Sequence, residues 1–438
     1  MEVILNEGRG KLSMENYLGL YVFEERITRD KARVNIANLK PGDAREPEIT
    51  GGYIFKKDHA EHGGGGRWNG GPPMGGAPML RSGFPTPPGA FPADPAGFLP
   101  SLNGDANFRN GRGPIRLPRG LERGPVRPNN RPDETQFFPD ADSFTTAYQG
   151  NTFYYVDPEP DEITAGQRVW LRDYLNRFET ALYGADFADP QKGYQAFIER
   201  DSFIDFHLLS EVTKNVDSFR FSTFYHKDRG GRLKMGPLWD WNLSFGNCDG
   251  KQGYLPERWL WPQLNDQEYS WFRRLFEDPD FGQRYVDRWG ELRATIFATS
   301  NMMARMDAHV AEIGEAQARN FRRWPILGRE INPNYFVGDT YQEEINWMKR
   351  WTSNRLTWIE KQFVAAPSVT RGAQLTLTTR AANTQTYFTL DGTDPRAAGG
   401  AVSAQAKVYE SPLTVAKDGK VFARAHTGTR WSPPLILP

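Results

Sequence analysis

The chain has 438 residues, 38% of them hydrophobic and 13% aromatic, which is material for a packed core and for two or three domains. Lysine plus arginine equals aspartate plus glutamate at 54 each, so no global field draws in nucleic acid or an anionic membrane. One cysteine, Cys248, excludes an internal disulfide and a cysteine-based zinc cluster, no apolar run reaches membrane-spanning length, and the start MEVILNEGRGK lacks the basic and apolar stretches of a signal peptide.

Residues 1–58 hold the short β-rich runs MEVILN, YLGLYVFEERI and GGYIFKKD between polar turns, which predicts a small partial sheet. MEVILN reads as a strand with nothing in front of it, so an amino-terminal truncation is expected, with part of the first sheet upstream. Residues 59–140 change sharply to Gly, Pro and Arg, as in EHGGGGRWNGGPPMGGAPM, and predict a flexible insertion, because such a stretch buries too little apolar surface to offset its ordering entropy. Its GGGG is not followed by the Gly-Lys-Ser/Thr of a phosphate loop.

Residues 141–366 are dominated by helical periodicity. TAGQRVWLRDYLNRFETALYG and GYQAFIERDSFIDFHLLSEVTKNV place apolar residues three and four apart, and so do the runs at 269–297, 300–324 and 341–363. Their Met and Trp positions read as core. Between them a strand pair is expected, RFSTFYHKD with RLKMGPLWDWNLSFG, turning at Arg229-Gly230-Gly231. His207 and His226 sit among aromatics and read as structural. From Ser368 to Pro438 the period switches to two, which predicts a small appended all-β sandwich with its own core.

The stretch KMGPLWDWNLSFGN, 234–247, sets Asp240 and Asn242 two apart between tryptophans. Were it a strand, both side chains would point to one side and present a carboxylate and an amide oxygen together, as a metal or phosphate site needs. A Trp-rich core strand whose polar residues cap a turn fits the same spacing.

Five ordered blocks, NYLGLYVFEERITRDKARVNI, ITGGYIFKKD, ITAGQ, FIDFHLLSEVTKNVDSFRFSTFY and KMGPLWDWNLSFGN, resemble the spore-coat protein H (CotH) kinase family. The tail, with YFTLDGTDPR, VYESPLTV and WSPP, is similar to the chitobiase carboxy-terminal immunoglobulin-like module. The resemblance implies an α+β, atypical protein-kinase-like fold with a small β-rich lobe and a helical lobe, followed by the all-β domain. It implies ATP with Mg²⁺ (or Mn²⁺) and a protein substrate carrying Ser or Thr. Asp217, in NVDSF, matches the acceptor-orienting Asp, and Asp240 the metal-binding Asp, with Asn242 supplying a second oxygen. Lys56 fits a strand lysine that reaches nucleotide phosphates, with Glu25 to orient it and Lys57 on the opposite, solvated face. Ser222 stands where ordinary kinases carry the second-metal Asn, a departure that leaves one hydroxyl oxygen at that place.

Two other classes are carried alongside. A catalytically weak or inactive kinase-like surface protein would use the β-module and the insertion to contact polysaccharide or protein partners at a cell surface. A metal-dependent glycosyltransferase would explain the Asp-x-Asn pair alone. Secretion or surface display follows from family context only, and the chain itself carries no address.

Overall fold

The structure, a computed structural model, describes residues 1–6, 10–58, 141–380, 383–416 and 419–438. The insertion expected at 59–140 lies outside the described residues.

Strands β1 (Glu2–Ile4) and β2 (Tyr17–Leu20) pair antiparallel in a sheet of their own. Strands β3 (Tyr53–Lys57), β4 (Ser143–Thr145), β5 (Thr152–Asp157), β6 (Thr223–Lys227) and β7 (Leu233–Met235) form a five-stranded antiparallel sheet in the order β4-β5-β3-β6-β7. The three amino-terminal runs therefore divide. The β1–β2 hairpin lies on the helical part of the chain, where Leu20 N donates to Asn320 Oδ1 at 2.9 Å, Trp324 Nε1 to Leu18 O at 2.8 Å, and Arg319 pairs with Glu2. Only β3 enters the larger sheet. Its alternation serves two faces: Tyr53 and Phe55 join the main core, where Phe55 packs on Phe144, Phe153 and Tyr225, while Ile54 turns to a smaller cluster with Val34 and Phe224.

The helices begin where caps allow. Helix α1 (Ala165–Tyr183) opens on a capping box of Thr164 and Gln167. Helix α2 (Arg200–Thr213) starts later than its periodicity, because Glu199 caps it by accepting from Asp201 N and Ser202 N. The expected helix at 269–297 is two, α3 (Phe272–Leu275) and α4 (Pro279–Arg293), since Pro279 lacks an N–H and fits only a first turn, which Asp278 caps. Then come α5 (Thr299–Glu312), α6 (Gly314–Arg323) and α7 (Tyr341–Glu360), the last on a second capping box, Thr340 with Glu343. Trp271, Trp289 and Trp351 are fully buried, in keeping with core roles.

After Pro367 the chain is all β: β8 (Ser368–Arg371) pairs with β9 (Leu375–Thr378), and β10 (Gln385–Thr389), β11 (Lys407–Val408), β12 (Val421–Thr427), β13 (Arg430–Trp431) and β14 (Leu435–Leu437) make a second five-stranded sheet. Leu377, Phe388, Val421, Ala423 and Leu437 close over its own small core.

His207 of α2 is buried at the centre of the helical region, with Nδ1 3.0 Å from the Tyr285 hydroxyl and Nε2 2.5 Å from the Tyr269 hydroxyl. Burial pushes its pKa down to about 3 from the ordinary 6.5. Between those values the unfolded chain holds a proton that the folded chain refuses, so stability falls as pH falls through that window. The loss expected from this one group is on the order of 4 kcal/mol. His207→Gln should start less stable at neutral pH, its tyrosine partners being less well matched, and should then lose less than the parent in urea melts between pH 6.5 and 3.5. Parallel pH profiles for the two proteins would remove His207 as the cause.

Candidate active site

Two separate segments build the site. Helix α2 ends at Lys214, whose left-handed backbone (φ 49°) turns the chain out into 215–221 and puts Asp217 on that turn. Strand β7 stops at Met235 because Gly236-Pro237 follows, and proline has no N–H for a ladder. Residues 236–242 are thus not a strand, and Asp240 itself has φ 57°. The strand alternation expected to aim Asp240 and Asn242 together does not operate here.

Cross-bonding between the segments brings the aspartates together instead. Val216 N donates to Leu243 O at 3.1 Å, Phe245 N to Thr213 O at 2.8 Å, and Trp241 Nε1 to Thr213 Oγ1 at 2.8 Å. Gly246 follows in a left-handed conformation, and a Cβ there would stand 2.5 Å from Trp351 Cδ1, so the SFG turn admits only glycine. The segment beyond is held as well. Lys214 Nζ donates to Leu255 O at 2.8 Å and Glu257 O at 2.9 Å, and Arg355 Nη1 donates to Pro256 O and Arg258 O. Burial, then the Arg355 guanidinium, push the Lys214 ammonium down to about 7.

The electrostatics of the turn are those of crowded carboxylates. Asp240 is exposed, yet its pKa is raised, first by desolvation, then by the charges of Asp217 and Asp58. Asp58 is a site residue that spacing did not single out, although it lies two beyond Lys56 at the end of β3 and takes an ion pair from Lys56 Nζ at 2.9 Å. Among the described residues, no three His, Cys, Asp or Glu side chains approach closely enough to hold a metal by themselves. A cation bound through Asp240 would relieve the repulsion there, so the donor set suits a hard divalent ion whose remaining ligands are phosphate and water oxygens.

Asp217 is held by Arg220, which donates from Nη2 to Asp217 Oδ1 at 3.0 Å and from Nε to Val216 O at 3.1 Å. Arg220 Nη1 lies 3.8 Å from Glu268 and Lys251 Nζ 3.7 Å from the same carboxylate.

The other expected residues fall as follows. Glu25 does not orient Lys56: it is exposed, and Arg33 grips both its oxygens. Lys57 is not solvated, since its ammonium donates to Gln267 O, to Ser270 Oγ at 2.7 Å and to Asn151 Oδ1 at 3.4 Å. Burial pushes it down to about 8. Strand alternation separated Lys56 from Lys57 correctly, but which face is wet depends on residues brought in from the α3 region. Asn242 is exposed, and its backbone carbonyl accepts from Asn247 Nδ2 at 3.3 Å. Ser222 lies in a left-handed turn (φ 46°) just ahead of β6. His226 Nδ1 donates to Gly236 O at 2.9 Å, and His226 is structural like His207.

The model of the CotH kinase protein family matches residues 137–359, more than half of the chain. The chain belongs to the CotH kinase protein family. Its kinase-like α+β fold thus holds Asp217 and Asp240 inside the family match, whereas Lys56, Asp58 and Glu25 lie before it. A second model, the chitobiase/beta-hexosaminidase C-terminal domain, matches residues 364–432, which is the all-β region. No curated protein matches the CotH-family chain described here. Among the described residues no helix is long and apolar enough to cross a membrane.

Proposed function

We propose that this CotH-family protein is a protein kinase that transfers the γ-phosphoryl group of ATP to a Ser or Thr hydroxyl of a surface or coat protein. The observation that carries the reading is the meeting of Asp217 and Asp240, from turns 23 positions apart, through the hydrogen bonds of 213–216 with 241–245. Phosphoryl transfer asks mainly for position and charge neutralisation, and the site has groups for both.

Asp217 takes the acceptor hydroxyl. With Oδ1 held by Arg220, Oδ2 is left to accept the hydroxyl proton as that oxygen attacks phosphorus and the bond to the ADP oxygen breaks. Asp240 would hold Mg²⁺ (or Mn²⁺), with Asn242 placed two residues on to bind an oxygen-seeking ion or its water, and the ion, when bound, neutralises charge on the β- and γ-phosphates. Lys56, ion-paired with Asp58, would reach the nucleotide phosphates. Ser222 offers a single oxygen where a second metal would need one.

The test is incorporation of labelled γ-phosphate into a Ser/Thr-containing acceptor or into the chain itself, with Asp217→Ala as control. Incorporation in the parent that persists in the control would assign the label to another enzyme. A folded parent that binds no nucleotide would leave the surface-binding alternative, in which the β-module contacts polysaccharide or protein.

A further inference from the structure

The alternation after Pro367 reads as a separately folded appendage, yet the buried charges of the β-module are completed by the kinase-like region. Arg424 of β12 is 2% exposed and is held between two carboxylates from different parts of the chain. Its Nη1 and Nη2 reach Asp287 Oδ1 and Oδ2 of α4 at 2.6 and 2.9 Å, while Nε and Nη2 reach Asp394 Oδ1 and Oδ2 of the module at 2.8 and 2.7 Å. One turn pair away on α4, Asp280 accepts from Arg396 Nη1 at 2.6 Å and from Gly399 N at 3.0 Å, and Arg396 Nη2 donates to Pro279 O at 2.9 Å. Gln283 Nε2 donates to Ser432 O at 3.2 Å. The contact is also close in shape: a Cβ on Gly290 of α4 would stand 2.7 Å from Pro433 Cβ.

The adjoining side of α4 is laced to α2. Arg284 binds both oxygens of Asp201, Arg288 both oxygens of Asp205, and Glu291 ties the two arginines together. Helix α2 is the one that ends in the Asp217 turn. We infer that the β-module is a fixed brace of the kinase-like body, locked to α4 by Arg424 and Arg396, and not a tethered binding arm.

The physical reason is the cost of separation. Pulling the module away would break the largely desolvated pairs Arg424–Asp287 and Arg396–Asp280 together and admit water to the fitted Gly290–Pro433 contact, leaving Asp287 only its bond from Gln283 Nε2, whereas a surface ion pair alone holds little. The linker at 365–367 then does little to hold the two together.

The experiment cuts that linker. A specific protease site placed at 365–367 of the full chain is cleaved, and the products are run on gel filtration at micromolar concentration without denaturant. The two pieces should co-elute. In Arg424→Met and in Gly290→Leu, whose new side chain would wedge against Pro433, the dissociation constant should rise by at least about a hundredfold, so the pieces separate. Gly290→Leu alters α4 only and so reads the interface even where Arg424→Met disturbs the module. Separation of the parent pieces on cutting, or undiminished association in Gly290→Leu with helix content intact, would overturn the brace. The readout is association, so a failure of the kinase reading would leave this result standing and the reverse holds too.

Discussion

Asp217→Ala should lose most of its turnover, about a hundred- to ten-thousand-fold as for other general bases, while nucleotide affinity stays nearly at the parental value. The reason is division of labour across the two turns. In the proposed mechanism Asp217, its Oδ1 fixed by Arg220, faces the acceptor, whereas the phosphates answer to Asp240 and Lys56. Replacing Asp217 also removes one of the negative charges that act at Asp240, so a cation there loses some attraction, but the carboxylate proposed to ligate it stays and the loss of nucleotide affinity should be small beside the loss of turnover. Initial rates and nucleotide titration on the same preparation check both halves. An equal loss in nucleotide affinity would move Asp217 from the acceptor to the nucleotide, and a turnover within a few-fold of the parent would remove it from the chemistry.

The largest stability effect is expected at Arg355. Arg355 on α7 and Glu211 on α2 pair at 2.9 Å with side chains 0% and 1% exposed, and neither charge has water to fall back on. Arg355 also donates from Nε and Nη2 to Glu211 O, and Glu211 accepts from Leu260 N and Trp261 N. Arg355→Met leaves the Glu211 carboxylate buried without its countercharge, and such truncations cost about 3–5 kcal/mol. A urea melt should show the midpoint falling with the slope unchanged. The site should suffer as well, because Arg355 holds the carbonyls of Pro256 and Arg258 in the segment that Lys214 pins from the other side. A loss below about 1 kcal/mol would class the pair with surface ion pairs and contradict its role in shaping the turn.

Local rules made part of this architecture legible. Thr164 and Gln167 announce the start of α1, Thr340 and Glu343 that of α7, and the two-residue period after Pro367 the all-β region. The break between α3 and α4 was equally local, at Asp278-Pro279, but the strong apolar period on either side hid it. The site was legible differently. Asp217 and Asp240 were reached by resemblance, and no spacing rule predicts that residues 213–216 would bond to 241–245, since those bonds depend on where the chain returns after β6 and β7. For the same reason Arg220 and Glu268 gave no sequence signal of their meeting beside Asp217, nor Asp58 of its nearness to Asp240. A strand pattern read through Asp240 failed at Gly236-Pro237, a breaker lying in plain view four residues earlier. The bonds from Arg424 to Asp287 and from Lys57 to Ser270 are tertiary in the strict sense, each spanning more than a hundred positions.

The central claim is that Asp240 holds a divalent ion against nucleotide phosphates, and the most direct measurement is the melting temperature with and without Mg-ATP. A ligand confined to the folded state adds about 2.7 kcal/mol at a hundredfold excess over its dissociation constant, so the parent should melt several degrees higher with Mg-ATP than without. Asp240→Ala should show no such rise, and its unliganded form should be no less stable than the parent, because the substitution removes a carboxylate crowded by Asp217 and Asp58. Asn242→Ala should keep part of the shift, a neutral oxygen holding a hard ion less firmly than a carboxylate does. A cooperatively folded parent whose melting temperature does not move at saturating Mg-ATP, or an Asp240→Ala variant that keeps the full shift, would contradict the account.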